Sequence, residues 1–158
     1  SWNGTIDEKM GDAQKAFACY LFTVPGVPLL YNGQEADLDK RLEFFMRDPI
    51  EWKETELTPF YTKLVHLRTS HPALRHGIEG GSSDVLKTSQ KNVVAYKRVK
   101  GENEVLTILN ISSKPVTVAL KDGATAGTYR DLFTDGSVEI AQGRKMQLEP
   151  WGYMVLVK

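Results

Sequence analysis

Acidic side chains gather in two places along the 158 residues. Asp7 and Glu8 are adjacent, and Asp37, Asp39 and Glu43 share a short stretch with Arg41. Paired carboxylates can divide general acid and base work between them. Acidic residues strung through a loop are ordinarily a solvated face, and these are read that way. His66, His71 and His76 do not share a helix face at ligand spacing, and no cysteine or acidic partner completes a zinc site. No metal and no cofactor is therefore assigned to this segment. Cys19, the single cysteine, sits inside the apolar run AFACYLF and reads as a small buried hydrophobe. Trp52 and Tyr61 could stack on a flat ligand, but aromatics near a helix start read as core. Trp151, between Pro150 and Gly152, reads as an anchor, and Lys97-Arg98-Val99-Lys100 as a solvated strand end. A Gly-rich phosphate loop and a Gly-x-Ser-x-Gly elbow are both missing from the sequence. No catalytic residue is assigned.

The elements that would carry these residues change grammar along the chain. Ala13, Ala16, Phe17, Tyr20 and Leu21 recur at the spacing of one helix face, and residues 16–22 are apolar on almost every side. That pattern predicts a buried helix ended by Pro25 and Gly26. Its start is open between a capping box at Thr5-Ile6-Asp7-Glu8 and a cap at Asp12. The five apolar residues Val27 to Tyr31 are too short for a helix and do not alternate, so they predict a parallel strand buried on both faces. A second helix begins at Thr58-Pro59, with Thr58 as its cap. It buries Phe60, Leu64 and Leu67, and stops at His71-Pro72.

From about residue 80 the period becomes two. Strands are predicted at 93–99, 105–111, 115–120 and 152–157, and weaker ones near 83–88, 127–133 and 145–149. Turn residues such as Gly101-Glu102-Asn103, Asp122-Gly123 and Asp135-Gly136 separate them. The expected fold class is α+β: the helix–strand–helix end of an incomplete (β/α)8-barrel in residues 1–76, then an antiparallel β-sandwich in residues 77–158. The missing parallel neighbours lead to the expectation that the chain is part of a longer one.

Hydrophobic residues make up 41% and charged residues 25%, enough for a core. Twenty basic residues balance twenty acidic ones, so no net field favours nucleic acid or an anionic membrane as a partner. No stretch reaches the roughly twenty apolar residues of a membrane span, and no signal peptide opens the sequence. Neither observation fixes a compartment.

Gly26-x-Pro28-x-x-Tyr31-x-Gly33-x-Glu35, after an Ala/Phe-rich helix, resembles the last barrel strand of the α-amylase family of glycoside hydrolases. RLEFFMRDPIEW (41–52) resembles that family's loop into the final barrel helix. LVHLRTSHPALRHG (64–77) resembles its exit into a C-terminal β-sandwich, and EPWGYMVLVK that sandwich's closing strand. The resemblance implies a parent acting on α-1,4-glucans or maltooligosaccharides by a retaining mechanism, with two carboxyl groups about 5 Å apart. It implies that the nucleophile, the acid and a third carboxylate lie upstream of Ser1, as does any calcium site. Ser1-Trp2-Asn3-Gly4-Thr5 would follow the segment bearing the third. It assigns Asp37 and Arg41 to a glucose subsite, and Gly26, Pro28, Tyr31, Gly33 and Glu35 to a structural motif. Glu35 would be a buried carboxylate bonded to neighbouring backbone. The segment itself is then expected to be inactive, with the sandwich stabilising the barrel. Two other readings stay open. One is a glucan-binding module, with Tyr96, Tyr129 and Tyr153 candidates for an exposed platform; the other is a structural domain of an inactive homologue. Apolar surface on the first half predicts either self-association or folding back onto the sandwich.

Overall fold

The computed structural model describes residues 4–121 and 123–158. Its helices are α1 (Ile6–Met10), α2 (Gln14–Thr23) and α3 (Leu57–Ser70). Eight strands follow: β1 (Ser82–Val85), β2 (Val93–Lys100), β3 (Asn103–Asn110), β4 (Val116–Ala119), β5 (Gly127–Asp131), β6 (Ser137–Ile140), β7 (Lys145–Leu148) and β8 (Tyr153–Val157). One sheet has the order β1-β2-β3-β8-β5-β6 and the other pairs β4 with β7; every ladder is antiparallel.

The capping box at Thr5 starts a first helix, and a second starts after Gly11. Asp12 does not cap the second: the cap position is Ala13, with no side-chain cap bond. Thr5 and Glu8 form a reciprocal capping box on α1, Gly11 at φ +44° breaks it, and a 3-10 turn over Gly11–Ala13 leads into α2. The turn re-phases the helix, so α2 buries Ala16, Ala18, Cys19, Phe22 and Thr23 while Tyr20 and Leu21 face outward. The expected all-round burial is corrected to one face. α3 begins one residue before Thr58, whose hydroxyl accepts from Thr55 N and donates to the Glu35 carbonyl rather than capping the helix. It stops at His71-Pro72 as expected.

Two cores lie on opposite faces of the larger sheet. Between the sheets, Ala95, Leu106, Ile108, Tyr129 and Leu156 meet Val118 and Leu148. On the other face Tyr96, Val105, Leu109 and Val155 meet Cys19 and Phe22 of α2 and Phe60, Tyr61 and Leu64 of α3. The period-two alternation of β3 thus divides its side chains between two cores, and the strand is buried on both sides. The fold is a small α+β arrangement of mainly antiparallel sheet with helices packed on one face.

The parallel strand expected at residues 27–31 does not form within this chain, which offers it no parallel neighbour among the described residues. They are extended but belong to no strand, and Val27 and Leu29 are 79% and 80% exposed. Pro28 is part-buried, as is Leu30, which packs on the helical core. A parallel strand takes its ladder from neighbours on both sides, and all eight strands described are committed to antiparallel partners elsewhere. Without a ladder, one face of the pentapeptide packs and the other meets solvent.

Candidate functional site

The loop after the extended segment is shaped by two left-handed residues. Gly33 at φ +88° opens a 3-10 turn over Gln34–Ala36, and Asp37 at φ +56° closes it. A Cβ on Gly33 would lie 2.9 Å from Leu38 Cδ2, so both the conformation and the space require glycine there. Gly26, at φ +119°, turns the chain out of α2 into the extended stretch.

Asp37 is exposed. Arg41 turns from it to Glu8, where one guanidinium nitrogen donates to both carboxylate oxygens at 2.9 and 2.8 Å. Arg41, and after it the Thr5 backbone, hold the Glu8 carboxyl below its ordinary range. The Thr5 hydroxyl donates to Asp39 Oδ1 at 2.5 Å, and Lys40 pairs with Asp48, which also accepts from Glu43 N. The two acidic groups distinguished in the sequence are thereby joined into one surface network through Thr5 and Arg41. Beside it lies a pocket of about 270 Å³ bounded by Thr5, Lys9, Tyr31, Gln34, Leu38 and Lys40. Ser1, Trp2 and Asn3 lie outside the described residues, as does Asp122 of the turn at 122–123.

The motif residues divide. Pro28 lines a larger, mainly apolar cavity of about 610 Å³ with Val27, Leu30, Val65, Arg68 and His76. Tyr31 is largely exposed, its amide donating to Gln34 Oε1. Glu35 is held through its carbonyl, which accepts from the Thr58 hydroxyl at 2.9 Å and from Thr55 at 3.4 Å. Its carboxylate oxygen Oε2 is buried with no partner among the described residues, so the expected backbone bonds are made by the main chain instead.

Other expectations are corrected. Trp52 is 61% exposed, not core, whereas Tyr61 is buried; its hydroxyl accepts from Gln34 Nε2 at 2.6 Å, and burial pushes its pKa up to about 12. Trp151 is part-buried at φ +53°, and its amide donates to Ser112 O at 2.9 Å across the sandwich end. Tyr96 and Tyr129 are 3% and 2% exposed and Tyr153 is half-buried, so the three cannot form an exposed sugar platform. Cys19 is fully buried, and burial pushes its thiol well above the usual value. Among the described residues no three His, Cys, Asp or Glu side chains gather where they could hold a metal ion.

The sequence reading missed Arg98. It is 1% exposed, not solvated, and its N–H groups reach four backbone carbonyls. Period-two counting along β2 places it on the Tyr96 face, which was the available signal. Arg68, on the buried side of α3, plays a matching part.

Residues 84–155 match the family model of the maltogenic amylase C-terminal domain. The α-amylase MalA of Haloarcula japonica is 32% identical over 145 residues, covering 82% of this chain and 20% of that protein. Neopullulanase 2 of Thermoactinomyces vulgaris is 30% identical over 144 residues, covering 87% of this chain and 24% of that one. Among solved structures, the noncanonic maltogenic α-amylase AmyB of Thermotoga neapolitana superposes with a TM-score of 0.77 at 25% identity, over 93% of this chain and 36% of its own. A maltogenic amylase from S. marinus gives 0.72 at 25%, over 96% and 20%. The chain spans about a fifth to a quarter of the length of the relatives it matches.

Proposed function

This chain corresponds to the C-terminal part of an α-amylase family glycoside hydrolase, and from that premise we propose that its parent cleaves or transfers α-1,4-linked glucans. The reaction proceeds with retention: one carboxylate forms a covalent glycosyl-enzyme intermediate, and a second protonates the leaving oxygen and then activates water. Both belong to parts of the parent other than these 158 residues, as does the carboxylate that steadies the oxocarbenium-like transition state. Residues 1–158 alone release no sugar. The observation that carries this reading is the likeness to α-amylases over most of the chain, 82% of it in sequence and 93% in structure.

Asp37 and Arg41 contact a glucose unit of the bound glucan. Their place supports it: both stand on the loop after the extended segment, beside a pocket bounded by Tyr31, Lys40 and other polar groups. In the parent, Arg41 exchanges its exposed pairing with Glu8 for sugar hydroxyls, an exchange made easy by the small worth of exposed ion pairs. The sandwich covers the flank of the barrel and stabilises it.

The test is an assay of maltoheptaose hydrolysis by residues 1–158 and by the parent. Activity is expected only in the parent, and Asp37→Ala or Arg41→Ala there should raise KM about tenfold or more. Sugar release by residues 1–158 alone would overturn the placement of the carboxylates.

A further inference from the structure

Helix α2 ends at Thr23, where the last carbonyls have no partner inside the helix and carry the negative end of its dipole. Two buried guanidinium groups meet them. Arg68, from α3, donates to Phe22 O at 3.3 Å, to Val24 O at 3.0 Å and to Gly26 O. Arg98, from β2, donates to Thr23 O at 3.3 Å. Its other N–H groups bind the linker into the sandwich, at Ser82 O (3.0 Å), Gly81 O (3.2 Å) and Arg75 O (3.5 Å). The linker wraps closely: a Cβ on Gly80 would stand 2.2 Å from the Arg75 carbonyl and 3.2 Å from the Arg98 guanidinium. The Thr23 hydroxyl completes the joint, donating to Cys19 O and bonding Tyr96 OH and Thr107 Oγ1 of the sheet.

Burying two cations side by side is unfavourable, and burial, followed by the charge of Arg98, draws the Arg68 pKa down. The arrangement holds because backbone carbonyls converge on both groups. The planar guanidinium fork suits that task, since it presents several donors in fixed directions.

The far end of the extended segment is gripped separately. Gln34 donates to Tyr61 OH, and the Glu35 carbonyl accepts from Thr58, both on α3. Tyr61 and Arg68 stand about two helical turns, roughly 10 Å, apart. Residues 26–34 are thus fixed at their two ends by side chains in place of a strand ladder.

We propose that Arg68 and Arg98 are positioning residues: they fix where the Gly26–Gly33 segment begins, and so place the loop bearing Asp37 and Arg41, giving the sandwich a part in glucan recognition. The glucan clause rests on the reading of Asp37 and Arg41 given above; the clamp itself does not.

Amide hydrogen exchange on residues 1–158 tests the clamp without any sugar. Arg98→Met should speed exchange about tenfold or more at Thr23 and Val24, the scale of one lost charge-assisted hydrogen bond. The factor should be smaller at Gln34 and Leu38, whose end is also held by Tyr61 and Thr58. Leu106, Ile108 and Leu156 in the sheet should change less than about twofold. Arg98→Lys, which keeps the charge and loses the fork, should recover part of the protection. If Arg98→Met does not fold, Arg98→Lys and Arg68→Lys carry the same comparison. Unchanged exchange at Thr23 and Val24, or an equal rise throughout the sheet, would overturn the proposal. In the parent, Arg98→Lys should raise KM for maltoheptaose more than it lowers kcat. Local loosening with an unmoved KM would leave the clamp standing and remove the glucan role.

Discussion

Burial sets what Cys19 and His71 can do. The Cys19 thiol lies in the core between α2 and α3, and its raised pKa leaves little thiolate at neutral pH. A disulfide reagent is expected to label under a tenth of it in the native state and all of it in denaturant; rapid native labelling would show that this core opens. His71 is half-buried, with Nδ1 unpartnered among the described residues. Burial lowers its pKa, and a hydrogen bond with the Lys158 backbone works against that. An imidazole whose folded pKa is depressed takes up its proton more readily in the unfolded chain. Stability should therefore fall as pH drops through the ordinary histidine value of about 6.5. His71→Gln should flatten that acid slope in denaturant titrations at pH 5 and 7.5, and an unchanged slope would count against it. Neither burial is a property of residue type alone. Cys19 was legible because its neighbours are apolar, whereas Arg98 was not, because a charged tetrapeptide suggests solvent until the strand's facing is known.

Local signals read the elements well where they were redundant. The boundaries of β2, β3, β8 and the end of α3 follow from β-branched runs, turn residues and His71-Pro72. β6, four residues with two outward-facing polar side chains, gave too short a pattern to be seen; it exists because β5 offers it a register, Gly127↔Ile140 to Arg130↔Ser137. The stretch Val27–Tyr31 shows the converse. Its composition suited a strand, but strand pairing needs partners that composition cannot supply. The turn that follows is more strictly determined. Gly33→Ala should destabilise the fold by about 1–3 kcal/mol, from the left-handed backbone and the crowding against Leu38 and Ile50. Thermal melting measures this, and a change under about 0.3 kcal/mol would mean that the turn simply re-forms elsewhere.

At the scale of the whole molecule, the helices and the sheet share a core, so the sequence division at residue 76 does not separate two hydrophobic interiors. Leu21, Leu29 and Tyr31 line one outward apolar hollow with Met10, while Phe44, Phe45 and Met46 stand largely exposed on the next loop. Exposed apolar surface of this kind favours association. Light scattering of residues 1–158 is expected to show mass rising with concentration, and Val27→Lys with Leu29→Glu to suppress it without lowering Tm; a monomer at every concentration would refute this. The sequence by itself determined the helical and β-rich halves, the turns, and the likeness to α-amylases, because periodicity, propensity and motif spacing are properties of neighbours along the chain. Only the tertiary structure decided that Val27–Tyr31 stays unpaired, that β3 is buried on both faces, and that Arg68 and Arg98 close the end of α2. Those outcomes depend on which carbonyls, faces and edges remain unsatisfied once distant elements have packed, and no local pattern records that.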